Sequence, residues 1–230
     1  MLSVTRSELK YWISYQDSLL LQDEMAKLLS YDSYSENGFY RVKSLYFDSI
    51  NNIDYMEKLA GTEKRKKIRL RIYDEDADFA KLELKQKEGA YQQKKSLLVT
   101  KEVAKKLMAG EYGCLLDYPE EIAARLYELL VLGAYRPAAL IEYDRRAFVY
   151  KEYSTRITFD KNVRSSELSL DLYEKDISWI YRTNEKVILE VKYNGKLWMP
   201  IQKILEKYNL FNVSIGKYAN GRPLYEQYMI

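Results

Sequence analysis

The stretch Lys64–Tyr73, KRKKIRLRIY, decides the fold. Within it Lys67, Arg69, Arg71 and Tyr73 alternate with Ile68, Leu70 and Ile72. Successive side chains of a strand point to opposite faces, so the pattern predicts a β-strand with one charged and one apolar face. A solvated sheet face would explain one such strand standing alone. The pattern recurs, however. RSELKYW (6–12) sets Arg6, Glu8, Lys10 and Trp12 against Ser7, Leu9 and Tyr11, and FAKLELKQK (79–87) sets Lys81, Glu83, Lys85 and Lys87 against Leu82 and Leu84. STRITFDKNVR (154–164) opposes Arg156, Thr158 and Asp160 to Thr155, Ile157 and Phe159. KVILEVKYN (186–194) opposes Ile188, Glu190 and Lys192 to Val187, Leu189, Val191 and Tyr193.

Between these lie further elements. FYRVKSLYFDS (39–49) and ALIEYDRRAFVY (139–150) read as strands, and YQQKKSLLV (91–99) as a hairpin partner after a turn at Glu88 and Gly89. Ser14 and Asp17 resemble a capping box opening a helix with Leu21, Met25, Leu28 and Leu29 on one face. NNIDYMEKLAG (51–61) predicts a short helix stopped by Gly61, and Thr100 can cap another carrying Val103 and Leu107. Pro119 is suited to the first position of a helix with Ile122, Leu126, Leu129 and Leu130 aligned, and Pro200 to a last one with Ile201, Ile204, Leu205 and Tyr208.

About eight charged-faced strands and about five amphipathic helices set two architectures against each other. With the charges in solvent, the apolar faces would form a sandwich and leave the helices little to cover. With the charges inside a closed antiparallel β-barrel, the apolar outer face gives every helix a platform. The expectation is the second, an α+β fold with a basic tunnel and helices packed outside. Burying like charges is costly, which is tolerable in a wet bore that holds a polyanion and a metal ion.

Composition narrows the chemistry. The 230 residues suffice for a large core, and no Pro-, Gly- or Ser-rich linker divides them, so 1–230 reads as a single domain. No apolar run approaches the roughly 20 residues of a membrane span, and the N-terminus lacks a signal-peptide layout, so a soluble, cytoplasmic protein is expected. A single cysteine, Cys114, excludes a disulfide framework and a cysteine-rich zinc site. The absence of histidine removes Ser-His and Cys-His catalysis, imidazole acid-base chemistry and most transition-metal sites. What is left suits hard cations and phosphates. A net charge of +3 is too small to argue for nucleic-acid binding, and no P-loop or Rossmann glycine motif is present. Trp12, Trp179 and Trp198 read as packing or rim residues, and EKRKK (63–67) either as a basic ramp for a polyanion or as a solvated loop.

By face, the inward cations are Lys10, Arg69, Arg71, Lys85, Arg156 and Lys192, with Glu8, Glu83 and Glu190 as inward acids. Arginines and lysines from facing strands can clamp several phosphates, and carboxylates among them can hold Mn²⁺ or Mg²⁺ together with phosphate oxygens. In IEYDRRAF (141–148) periodicity leaves the inward face open between Glu142 with Asp144 and Tyr143 with Arg145.

The ordered set RSELKYW, SLYFDS, KIRLRIY, LELKQKEG with QQKKS, IEYDRRAFVY, RITFDKNVR, ILEVKYN and GKYANGR resembles the VTC (vacuolar transporter chaperone) polyphosphate polymerase domain, of the CYTH or triphosphate tunnel metalloenzyme superfamily. The resemblance covers nearly the whole chain. It implies a closed basic barrel, a divalent cation, often Mn²⁺, and transfer of the terminal phosphate of ATP to polyphosphate. It implies phosphate contacts from Lys10, Arg69, Arg71, Lys85, Lys94 or Lys95, Arg145 and Lys217, with Tyr143 as a polar wall residue and Glu190 as metal ligand. Arg69, Arg71, Lys85, Arg145 and Lys192 are thus the catalytic candidates. Lys10, Lys94, Lys95, Tyr143, Arg156, Ser214 and Lys217 are candidates for phosphate binding, and Glu190, Glu8 and Glu83 for metal. The implied partners are ATP, inorganic triphosphate or polyphosphate; no nucleic acid is expected, and coupling to a membrane would need a separate partner. Two departures stand out. Arg6 occupies a position where the wider superfamily has an acid, which favours retention of a long anion over two-metal hydrolysis. Gly216-Lys217-Tyr218 replaces the usual Ser-Lys-Tyr, with Ser214 displaced. A tunnel triphosphatase and a non-catalytic polyphosphate-binding module are the alternatives.

Overall fold

The computed structural model describes residues 6–89, 91–152, 154–183 and 185–228, with the Arg6 and Tyr228 side chains outside that description. In chain order the elements are β1 (Arg6–Ser14), α1 (Tyr15–Ala26), β2 (Ser30–Tyr31), β3 (Tyr40–Ser49), α2 (Ile53–Ala60), β4 (Lys64–Ile72), β5 (Phe79–Glu88), β6 (Tyr91–Thr100), α3 (Lys101–Met108), a 3₁₀ turn (Tyr112–Asp117), α4 (Glu121–Leu132), β7 (Tyr135–Tyr150), β8 (Thr155–Ser166), β9 (Ile180–Tyr181), β10 (Lys186–Asn194), α5 (Met199–Glu206), α6 (Lys217–Asn220) and α7 (Pro223–Tyr228). The fold is α+β with one large sheet in the order β1-β10-β8-β7-β3-β4-β5-β6, β2 pairing with β7 and β9 with β8. The β1–β10, β10–β8, β3–β4, β4–β5 and β5–β6 ladders are all antiparallel.

Closure of that sheet into a barrel was the sequence expectation, and hydrogen bonds do not provide it. Among the described residues no ladder joins β6 to β1. Other groups meet the outer edge of β1. Val213 N–H donates to the Lys10 carbonyl at 2.9 Å, and Lys10 N–H donates to Asn212 Oδ1 at 3.1 Å. This segment takes backbone groups that a closing strand would need.

The chain forms two compact units, one comprising Met1–Arg41, Tyr143–Val163 and Tyr181–Ile215, the other Val42–Glu142, Arg164–Ile180 and Gly216–Ile230. In the first unit the apolar faces of β1, β8 and β10 supply Tyr11, Ile13, Ile157, Phe159, Val187, Leu189 and Val191 to a core closed by Leu21 and Met25 of α1 and Ile201, Ile204 and Leu205 of α5. Ser14 caps α1, its hydroxyl accepting from Asp17 N–H at 3.0 Å. Leu28, expected on the inner face, lies past the end of α1 and is 39% exposed. In the second unit Leu45, Phe47, Ile68, Leu70, Ile72, Leu82, Leu84, Leu97 and Val99 pack under Ala104 and Leu107 of α3, Leu115, and Ala123, Leu126 and Leu130 of α4. Each such buried aliphatic side chain contributes about 1.5–3 kcal/mol.

In both units, therefore, helices cover the apolar face, and the charged residues are on the opposite one. Two sequence expectations shift. Pro119 lies ahead of α4, which starts at Glu121, and holds Tyr118 extended at φ −94°, ψ 131°, as a residue before proline must be. EKRKK is not a loop, since β4 already runs from Lys64. No helix among the described residues is long and apolar enough to cross a membrane.

Candidate functional site

In the second unit the register brings one row of cations after another onto the face away from the helices. Arg71 pairs with Lys81, Arg69 with Glu83, Lys67 with Lys85 and Arg65 with Lys87 across β4–β5; Lys85 then pairs with Lys94 across β5–β6. Directly opposed residues share a face, and like charges there repel. Lys67, Lys85 and Lys94 thus form a like-charged row over three strands. Glu83 is buried among them. Its Oε2 accepts from Arg69 Nε at 2.7 Å and lies 3.8 Å from Arg71 Nη1, while Oε1 accepts from Lys94 Nζ at 2.6 Å. Burial works to raise the Glu83 carboxyl, but Arg69, Arg71 and Lys94 overcome it and hold it at about 2. On β3, Ser44 Oγ accepts from Arg71 Nε at 3.2 Å and the Tyr46 hydroxyl accepts from Arg69 Nη1 at 2.8 Å.

The same register puts Lys94 and Lys95 on opposite faces. Lys94 shares the face of Lys85; Lys95 is paired with Leu84 and belongs to the opposite face. Lys217 opens α6, one residue before Tyr218, whose ring stacks on Tyr46.

In the first unit β1 and β10 place Glu8 opposite Lys192 and Lys10 opposite Glu190, and β8 adds Arg156 opposite Lys192 and Thr158 opposite Glu190. Lys10 Nζ sits 2.8 Å from Glu8 Oε1 and 3.5 Å from Glu190 Oε1, and donates to the Ile215 carbonyl at 3.2 Å. Lys192 Nζ is 3.1 Å from Glu190 Oε1. Burial lowers the Lys10 ammonium, and Glu190 with Glu8 more than reverses that, so its pKa is raised. The Oγ1 of Thr158 is buried with no hydrogen-bond partner among the described residues, which leaves a hydroxyl for a ligand on this face.

Arg145 lies on the same face, where its guanidinium forks onto Asp160 with contacts of 2.6 and 2.7 Å. Burial opposes its charge, but Asp160 and then Tyr143 raise it well above the ordinary arginine value. Tyr143 is buried, with the guanidinium carbon 5.1 Å from its ring centroid. Glu142 instead pairs with Arg164 and Asp144 accepts from Asn162 Nδ2 at 2.7 Å. Arg156 is paired with Asp32 and lies 3.3 Å from the Tyr40 hydroxyl. Ser214 is exposed in the segment after α5. For Arg6 the backbone pairs with Asn194, and its side chain lies outside the described residues.

The residues missed by the sequence reading are the partners. Asp32 sits in a loop with no periodicity to assign it, and Tyr46 belongs to a strand whose alternation carries no charge contrast. No group of three or more cysteine, aspartate or glutamate side chains among the described residues is placed to hold a metal ion by itself. Glu8 and Glu190, which both contact Lys10, are the carboxylates brought together, and a phosphate-bound Mg²⁺ or Mn²⁺ needs one or two of these with substrate oxygens. Glu83 belongs to the other unit and gives both oxygens to cations.

No curated protein sequence matches the chain. Two solved structures share its fold. One is a candidate adenylate cyclase from Bacillus halodurans, 16% identical, with a TM-score of 0.53 over 91% of this chain and 94% of that one. The other is a candidate adenylyl cyclase from Hippeastrum whose dominant activity is that of a triphosphatase, 15% identical, with a TM-score of 0.56 over 94% of each chain. At such identities the likeness concerns the fold. The family model of the VTC domain matches residues 5–225, nearly the full length, and the chain belongs to the VTC domain family.

Proposed function

We propose that this chain is a metal-dependent, polyphosphate polymerase-like enzyme, working as one domain over 1–230 and transferring the terminal phosphate of ATP to a polyphosphate chain. A basic tunnel, as the family resemblance implies, and a cytoplasmic setting belong to the same proposal. The carrying observation is the row Lys67, Lys85 and Lys94, in which like charges are directly opposed and Glu83 is the carboxylate already engaged nearby. Like charges directly opposed across strands repel one another, and a polyanion lying across the row would lessen that repulsion. A sheet face built for solubility would alternate the signs.

In the transfer, a terminal phosphate oxygen of the chain attacks the γ-phosphorus of ATP, the bond from that phosphorus to the β,γ-bridging oxygen breaks, and ADP leaves. The nucleophile is already anionic, so no protein base is required. Arg69, Arg71 and Lys85 would neutralise the transferring group, and Lys94 and Lys217 would bind the neighbouring phosphates. Lys10 and Lys192 would serve the same chemistry beside Glu190, with Arg145, Arg156 and Tyr143 held in place by Asp160, Asp32 and each other. A divalent cation, Mn²⁺ or Mg²⁺, bound by Glu190 and Glu8 with phosphate oxygens, would supply further charge neutralisation. Glu83 is better read as a counter-charge than as a metal ligand, because both oxygens are occupied.

Incubation of the purified protein with ATP and Mn²⁺, followed by separate assays for long-chain polyphosphate and free phosphate, tests this. Polymer should accumulate and disappear in Glu190→Ala and Arg69→Ala. Phosphate release without polymer would replace the proposal with a tunnel triphosphatase acting on inorganic or nucleoside triphosphate, and tight polyphosphate binding without turnover would replace it with a binding module.

A further inference from the structure

Tyr46 of β3 lies directly opposite Arg69 of β4 and is 5% exposed. Its hydroxyl oxygen accepts from Arg69 Nη1 at 2.8 Å, and its ring stacks on Tyr218 with centroids 5.1 Å apart and planes 19° from parallel. A phenol that accepts one hydrogen bond still has a proton to donate. Among the described residues that proton has no acceptor. Tyr218 supplies the contrast, since its hydroxyl donates to Asp48 Oδ2 at 2.5 Å and accepts from Arg222 Nη1 at 2.7 Å.

The surroundings of the Tyr46 phenol are cationic. Lys67, Arg69 and Arg71 face it from β4, with Glu83 of β5 behind Arg69. On its own strand Ser44 and Asp48 share its face, and from the C-terminal segment Tyr218 stacks on it, with Arg222 bonded to the Tyr218 hydroxyl. Burial raises the phenol, but Arg69, Arg71 and Lys67 outweigh it and bring it down to about 8.

We propose that Tyr46 is a further phosphate-binding residue: Arg69 fixes its oxygen, and the phenol donates its proton to a non-bridging oxygen of an inorganic triphosphate or polyphosphate bound along Arg69 and Arg71. This rests on the anion-binding reading above and deepens it. No bond is made or broken in the step; the proton remains on Tyr46 and is shared with the phosphate. The neutral phenol is a donor, whereas the phenolate repels the anion and neutralises Arg69. Affinity should therefore be full below pH 8 and decline above it, where lysine and arginine remain charged.

Calorimetric titration with tripolyphosphate at pH 7, 8 and 9 tests the assignment on wild type, Tyr46→Phe and Arg69→Ala. Loss of a hydrogen bond to a charged group predicts about ten-fold weaker binding by Tyr46→Phe at pH 7, with the two proteins converging at pH 9. Absorbance at 295 nm provides a reading on the unmodified protein: one phenol should ionise near pH 8, and tripolyphosphate should move that ionisation upward. Equal affinities at pH 7, or an ionisation unmoved by tripolyphosphate, would overturn the role of Tyr46 while leaving the anion site standing if Arg69→Ala still loses binding. Failure of the wild type to bind tripolyphosphate would overturn the anion-binding reading and this inference with it.

Discussion

Glu83→Gln is the most informative single perturbation, because Glu83 holds together charges that otherwise repel. Its carboxyl is brought from 4.5 to about 2 in the folded protein, burial resisting and Arg69, Arg71 and Lys94 prevailing. At about 1.4 kcal/mol per unit, the ionised form contributes about 3 kcal/mol to folding at pH 7. The folded pKa is depressed, so this stability is present above 4.5 and is lost as pH falls toward 2. Glutamine keeps the shape and removes the charge. For a chain of this length the unfolding midpoint should fall by about 6–12 °C at pH 7, with the difference shrinking below pH 4. Tripolyphosphate should then stabilise the variant more than the wild type, because a bound anion substitutes for the missing charge. Differential scanning calorimetry at pH 7 and pH 3, with and without tripolyphosphate, reads all of this. A variant as stable as wild type at pH 7, or a deficit that tripolyphosphate does not narrow, would refute the reasoning.

Asp54 has the opposite sign. Burial, with Asp48 adding to it against Lys66 and Tyr135, raises its carboxyl from 3.8 to about 6, so ionising it costs stability as pH rises through that window. Asp54→Asn should unfold at a higher temperature than wild type at pH 7 and at the same temperature near pH 4; a lower midpoint at pH 7 would count against it. Lys94→Met should weaken tripolyphosphate binding several-fold while Lys95→Met leaves it unchanged, since Lys95 is paired with Leu84 on the apolar face; equal effects in the two titrations would contradict the register. Gly221→Ala would place its methyl 2.0 Å from Ile141 Cδ1 and 2.9 Å from the Lys217 carbonyl, and should destabilise by about 1–3 kcal/mol in urea unfolding.

Alternation exposed the eight long strands because each carries at least four consecutive in–out choices. The two-residue strands β2 and β9 carry none, and α6 and α7 are too short for a helical period, so these were not visible. Faces within a strand were legible where charge alternated with aliphatic residues, as from Lys67 to Ile72. They were not legible between strands: only the pairing of Leu84 with Lys95 separates Lys95 from Lys94. The pairings that hold Arg145 and Arg156 were equally hidden, because an ion pair 15 or 124 residues apart leaves no local trace. Closure of the sheet was inferred from the helix count, which is silent about a backbone segment taking the edge of β1.

That first strand has a consequence for biosynthesis. β1 pairs along its full length with β10, from Arg6 opposite Asn194 to Ser14 opposite Lys186. A ribosome adding 5–20 residues per second needs roughly 10–40 s to travel between them. Within that interval, once residue 100 is made, the hairpins of β4, β5 and β6 can form, while β1 offers unpaired backbone and the apolar row Leu9, Tyr11 and Ile13 to whatever is near. β1 is thus made long before the strand that satisfies it, and a nascent chain stalled before residue 186 should be a client of chaperones that hold extended, apolar segments.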